Sequence, residues 1–135
     1  MDLKQMQDFF NSNDLFAKSL GMRIVSLDEG YARAWMELQK EHTNGEGIAH
    51  GGLVFSLADF AFAAASNSHG SSAVSINVSI AYHKAVEKGT LIAEAKEIAR
   101  NFKLATYYVA IWDESNELCA SFQGTVYRRK KQLGE

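Results

Sequence analysis

The stretch Ala49–Ser66 reads AHGGLVFSLADFAFAAAS, and between Leu53 and Ala65 only Ser56 and Asp59 are not apolar. A helix that is apolar on nearly every side has to be wrapped by other structure rather than lie on a surface. The pattern predicts a long buried helix from Gly51 to about Ser68, ended by SNSHGSS. Asp59 stands in its middle. An ionised carboxylate in an apolar interior costs several kcal/mol unless it is hydrogen-bonded or reaches water. Three structural roles are open to it: reaching solvent through a gap in the surrounding sheet, capping a neighbouring element, or pairing with a buried cation. No Lys or Arg lies between Lys40 and Lys84 to serve the last. The functional alternative is that Asp59 is a reactive acid.

Outward from that helix, the N-terminal twenty residues carry Leu3, Met6, Phe9 and Phe10 on one helical stripe, followed by a short turn of helix, Leu15 to Leu20, closed by Gly21. Two strand-like runs, Met22–Leu27 and Tyr31–Leu38, flank the hairpin signal DEG. A polar loop, EHTNGEGIAH, then leads into the helix. Beyond it everything reads as strand: AVSINVSIAYH, TLIAEAKEIAR, LATYYVAIWDE and ELCASFQGTVYR, with EKG and ESN as turn signals. Short connections predict antiparallel neighbours. The expectation is an α+β architecture in one domain, residues 1–135: a long helix enclosed by an antiparallel sheet of about five or six strands.

Composition narrows the function classes. The chain is 47% hydrophobic and 22% charged, with a net charge of −2, which leaves no footprint for nucleic acid or a membrane surface. The basic YRRKK near the end reads as a solvated tail. One cysteine, Cys119, excludes a disulfide within the chain. MDLKQMQDFF lacks the apolar core of a signal peptide, so the cytoplasm is the expected location. The four histidines, His42, His50, His69 and His83, form no metal-ligand spacing, and neither a metal nor a cofactor is expected.

Gly51 and Gly52 stand where the helix begins, so their N–H groups have no partner within it, and without side chains they let a ligand approach closely. Such amides are how an oxyanion hole is built. Eight residues separate Gly51 from Asp59, about 12 Å along a helix, whereas a reacting group must lie within about 3–3.5 Å of its target. The two cannot serve one carbonyl inside one chain. If both are catalytic, the acid comes from a second copy whose helix runs antiparallel beside the first, in a two-fold dimer with two mixed sites.

NGEGIAHGGLVFSLADFAFAAASNSHG, with AVSINVSIAYH after it, resembles the PaaI-type branch of the hotdog-fold acyl-CoA thioesterases, related to the hydroxybenzoyl-CoA thioesterases. The likeness is tight over Asn44–Asn67 and looser beyond. It implies the hotdog fold and hydrolysis of an acyl thioester to a carboxylic acid and free coenzyme A. By this resemblance Asp59 activates water or attacks the thioester itself, and the Gly51 N–H polarises the carbonyl. Asn44 helps hold the water or the carbonyl, His50 shapes the loop and Ser75 borders the acid. The family works without metal, as dimers commonly paired into tetramers. The turn HKAVEKG lacks the Pro usual in related sequences.

For the coenzyme A phosphates, Arg100 and Lys103 at a turn between strands are the candidate cations, beside Gly52 at the helix start; Lys84, Arg128 and Arg129 are also available. Two other readings compete with hydrolysis: a hotdog dehydratase or hydratase, and a non-catalytic acyl-CoA sensor. Partial burial of Asp59 should raise its pKa from the ordinary 3.9 or so and make it a better base. The acyl group is not specified by Phe55, Phe60, Phe62, Tyr82 and Trp112, which suit any core.

Overall fold

In the computed structural model, which describes residues 1–135, two short helices, α1 (Leu3–Asn13) and α2 (Leu15–Ser19), precede strands β1 (Arg23–Asp28) and β2 (Tyr31–Leu38). A 3-10 turn at Lys40–His42 leads to the long helix α3 (Gly51–Asn67). Strands β3 (Ser71–Tyr82), β4 (Gly89–Arg100), β5 (Leu104–Asp113) and β6 (Leu118–Gln132) complete the chain. The six strands form one antiparallel sheet in the order β1-β2-β4-β5-β6-β3. It curls around α3 to give the hotdog fold.

Alternation decides which sheet face meets the helix. The core-facing residues on β2 are Ala32, Ala34, Met36 and Leu38; on β4, Leu91, Ala93 and Ala95; on β5, Ala105, Tyr107, Val109 and Ile111. Successive side chains of a strand point to opposite faces, so each set lines one side. Many of these are alanines, which brings the sheet close to α3 and its Leu57, Ala58, Ala61, Phe62 and Ala65. Gly124 of β6 lies against α3: an added Cβ would be 2.7 Å from the Phe62 ring. Glycine is therefore required there by space.

The two sheet edges differ. At β1 the backbone of Ile24 is covered by α1: its N–H donates to Asn11 Oδ1 at 2.7 Å, and its carbonyl accepts from Asn11 Nδ2 and Gln7 Nε2. At the other edge β3 is covered only at Ala73, whose N–H donates to Asn67 Oδ1 at 2.9 Å; beyond it Val74, Ile76 and Tyr82 are 40, 57 and 53% exposed. A register shift between Ser75 and Asn77 leaves Ile76 as a bulge.

Two expectations fail. EKG does not join neighbours: β3 pairs with β6 and β4 pairs with β2. The segment after Tyr82 instead crosses the start of α3, where Ala49 N–H donates to the Val86 carbonyl at 2.7 Å. The curled sheet leaves the slot beside β2 open to β4 on the far side of the helix. Nor is YRRKK a tail; β6 runs to Gln132 because the twelve-residue β3 pairs along it as far as Ser71–Gln132. Its Arg129, Lys130 and Lys131 side chains remain exposed. No helix is long and apolar enough to cross a membrane.

Candidate active site

The start of α3 is built by His50. Its backbone is extended (φ −60°, ψ 135°), its carbonyl accepts from Leu53 and Val54, and its ring Nδ1 accepts the Gly52 N–H at 2.9 Å. A Cβ on Gly52 would sit 3.1 Å from that ring nitrogen, so the missing side chain makes room for the cap. Of the first four amides of α3, three are thereby used. The Gly51 N–H alone has no acceptor within the chain. This corrects the sequence reading of two free glycine donors: the Gly52 amide is spent on His50.

Asn44 faces the same place. Its Oδ1 accepts from the Glu46 and Ile48 amides at 2.9 and 3.4 Å, which folds the loop into an Asx turn and directs the carboxamide oxygen inward. The Nδ2 group has no partner in the chain. Asn44 and Gly51 line one pocket of about 350 Å³ with apolar walls from Ile48, Ala49, Val54 and Val86. Tyr82 closes it, its hydroxyl donating to the Gly51 carbonyl at 2.8 Å. Sequence reasoning placed Tyr82 among generic apolar residues; nothing short of the β3 register shows that its ring reaches the helix start. Lys84 also borders this pocket, but Asp113 and Glu117 pair with it at 2.5 and 3.1 Å. Those carboxylates hold its pKa above the usual lysine value and make it a poor candidate for a phosphate.

Asp59 opens elsewhere, into a pocket of about 230 Å³ formed by Phe55, Ser56 and Phe60 of α3 and by Asp14, Phe16 and Ala17 of the N-terminal helices. It is half-buried and has neither a hydrogen bond nor a salt bridge within the chain. The capping and ion-pair roles are thus excluded. Burial pushes its pKa up, and the charge of Asp14 adds to the rise. A carboxylate of raised basicity, open to a pocket and unspent on structure, is equipped to accept a proton from water.

His50 and Gly52 border a third groove, with Phe16, His42 and Ser56. Ser75 lies exposed on β3, opposite Val126 of β6, and its hydroxyl makes no hydrogen bond. Arg100 and Lys103 sit at the β4–β5 turn, at the end of the sheet opposite Gly51; the backbone of Lys103 meets Arg128, nine residues along β6 from Cys119 of the Gly51 pocket. Nine residues of strand span roughly 30 Å. Arg100 Nε faces Glu97 at 3.5 Å and Arg128 donates to the Asn101 carbonyl, whereas Lys103 has no acidic partner. A single chain therefore brings Asn44 and Gly51 together and keeps Asp59, Ser75, Arg100 and Lys103 apart from them.

The frame that holds the Gly51 amide and the Asp59 carboxylate is a curled antiparallel sheet around a buried helix. The Thioesterase superfamily profile matches residues 46–120, over half of the chain, and the chain belongs to that family. It is an enzyme of the thioester-hydrolysing kind, which sets aside the sensor reading. Among its relatives, an Archaeoglobus fulgidus protein with the provisional name of an esterase is 46% identical over 127 residues, covering 93% of this chain and 82% of the relative. The acyl-coenzyme A thioesterase PaaI of Escherichia coli is 38% identical over 117 residues, 86% of this chain and 84% of that protein. The solved structure of the E. coli PaaI protein, from the phenylacetic acid degradation operon, superposes with a TM-score of 0.93 at 34% identity, covering 96% of this chain and 95% of that one.

Proposed function

We propose that the chain is an acyl-CoA thioesterase whose site is shared between two copies, Gly51 of one facing Asp59 of the other. The observation that carries this reading is the free Gly51 amide and the unpartnered Asp59 carboxylate opening into different pockets of the same helix. Two complete half-sites that cannot meet within a chain call for a second chain. The β3 edge, open beyond Ala73, supplies the way to add one: antiparallel pairing of β3 with its copy continues the sheet and buries Val74, Ile76 and Tyr82. That pairing sets the Tyr82 end of one strand beside the Ser71 end of the other. It thus carries the Lys103 turn of one chain toward the Gly51 pocket of its partner, where Lys103 and Arg100 would meet the coenzyme A phosphates. Further pairing into a tetramer is compatible with this arrangement.

In the reaction, Asp59 takes a proton from water as the water oxygen attacks the thioester carbonyl carbon. The carbonyl oxygen becomes negative and is held by the Gly51 N–H, with Asn44 Nδ2 as the neighbouring donor; Ser75 borders the acid. Collapse of the tetrahedral adduct breaks the C–S bond, and the departing thiolate recovers the proton from Asp59. The raised basicity of Asp59 favours this general-base role over direct attack. Neither metal nor cofactor takes part. The cytoplasm, where a free thiol such as Cys119 persists, is the proposed compartment.

Mixing inactive variants tests the shared site. Equal amounts of Asp59→Asn and Gly51→Pro proteins, dissociated and reassembled, should recover about a quarter of the parent rate, because half the dimers are mixed and each mixed dimer has one intact site. Thiol release from acyl-CoA measures it. No recovery on mixing, with mixed dimers demonstrated, defeats the shared site.

A further inference from the structure

We propose that Asp14, carried on the N-terminal helices, is a positioning residue for Asp59: its carboxylate shares the Asp59 pocket and makes that pocket a better proton acceptor. The inference rests on the reading of Asp59 as the general base.

The placement of Asp14 is fixed twice over. Its N–H closes α1 on the Phe10 carbonyl at 3.2 Å, and its side chain caps α2 by accepting the Ala17 amide at 3.1 Å. Phe10 and Ala17, on either side of it, belong to the main core. The arm is therefore docked, and the carboxylate at its corner cannot swing away without breaking the cap of α2. The pocket it enters holds no cation. From α3 it receives Asp59 with Ser56, from α2 the Asp14 carboxylate, and from the sheet no charged group. Of the two lysines on these helices, Lys18 lines a separate groove beside Glu37 and Glu41, and Lys4 faces Asp8 at 3.8 Å.

Two carboxylates in one small, partly apolar pocket oppose each other's ionisation. Asp14 is satisfied by a helix amide. Asp59 has no donor, so the repulsion is relieved by its taking a proton more readily, and its upward shift carries a contribution from Asp14. On this view the N-terminal helices, which lie outside the residues matched by the family profile, help to set the strength of the base.

The test is the pH profile of kcat/KM for acyl-CoA hydrolysis, which reports ionisation in the free enzyme. Asp14→Asn keeps a good helix cap and removes the charge. Its acid limb should move to lower pH, so that it retains more than half of its plateau where the parent has fallen to half. Asp14→Ser, also a capping residue, should do the same and serves if the Asn variant folds poorly. Asp8→Asn, the same charge change on α1 outside the pocket, should leave the limb in place. A limb unmoved in both Asp14 variants, or moved equally by Asp8→Asn, overturns the proposal while leaving Asp59 as the base. Full activity of Asp59→Asn overturns both.

Discussion

His50 Nδ1 accepts the Gly52 amide at 2.9 Å, and that one bond decides which N–H of the α3 first turn is left for a substrate. The remaining donor belongs to Gly51.

Gly51→Pro isolates that donor. Proline lacks the N–H, is well tolerated at the first position of a helix, and requires an extended residue before it, which His50 already is. The variant should fold with a near-parent melting temperature and lose about 100- to 1000-fold in kcat. Thiol-release kinetics beside a thermal melt separate the two effects.

Asn44 has two ends with different duties. Asn44→Asp keeps the oxygen that accepts from Glu46 and Ile48 and removes the free Nδ2 donor. Circular dichroism should be unchanged and kcat should fall by about 10-fold or more, the loss expected when one hydrogen bond to a developing charge is removed. Unaltered kcat would restrict Asn44 to shaping its loop.

Asp59→Asn should lower kcat by at least about 100-fold and should not destabilise the protein at neutral pH. The folded-state pKa of Asp59 lies above its ordinary value because of burial and Asp14. The stability this group contributes is fully present below the unfolded pKa, about 3.9, and is lost as pH rises through the folded one. At pH 7 the ionised carboxylate therefore opposes folding. Melting curves should place the Asn variant level with or above the parent at pH 7, and lose that advantage in acid.

Gly124→Ala probes the fold. The added methyl group would meet the Phe62 ring, itself buried, at 2.7 to 3.0 Å. Overpacking of this kind costs about 1–3 kcal/mol, to be read from urea unfolding.

Much of this was legible in the chain because it is written in short-range patterns. The run around Asp59 announced a wrapped helix, and TYYVAIW and LIAEAKE read as strands, of which Tyr107, Val109 and Ile111 and Leu91, Ala93 and Ala95 meet it. The distance from Gly51 to Asp59 follows from helix rise alone. Long-range pairing was not legible. That β3 lies beside β6, that β4 sits by β2, and that Tyr82 reaches Gly51 all depend on how the sheet curls, and no residue near EKG records it. The role of Asp14 was hidden for the same reason: a corner between two short helices reads as a cap until the fold brings it against Asp59, forty-five positions away.

The asymmetry of the two sheet margins has a cost beyond catalysis. With Asn11 and Gln7 sealing one margin and Asn67 covering only Ala73 of the other, an isolated copy still presents the open β3 edge from Val74 to Tyr82, flanked by bare isoleucine, valine and tyrosine, a template for uncontrolled accretion. If β3 pairs with its copy as proposed, selection against clumping and selection for turnover act on the same strand, and a substitution that weakens that pairing should first announce itself as turbidity.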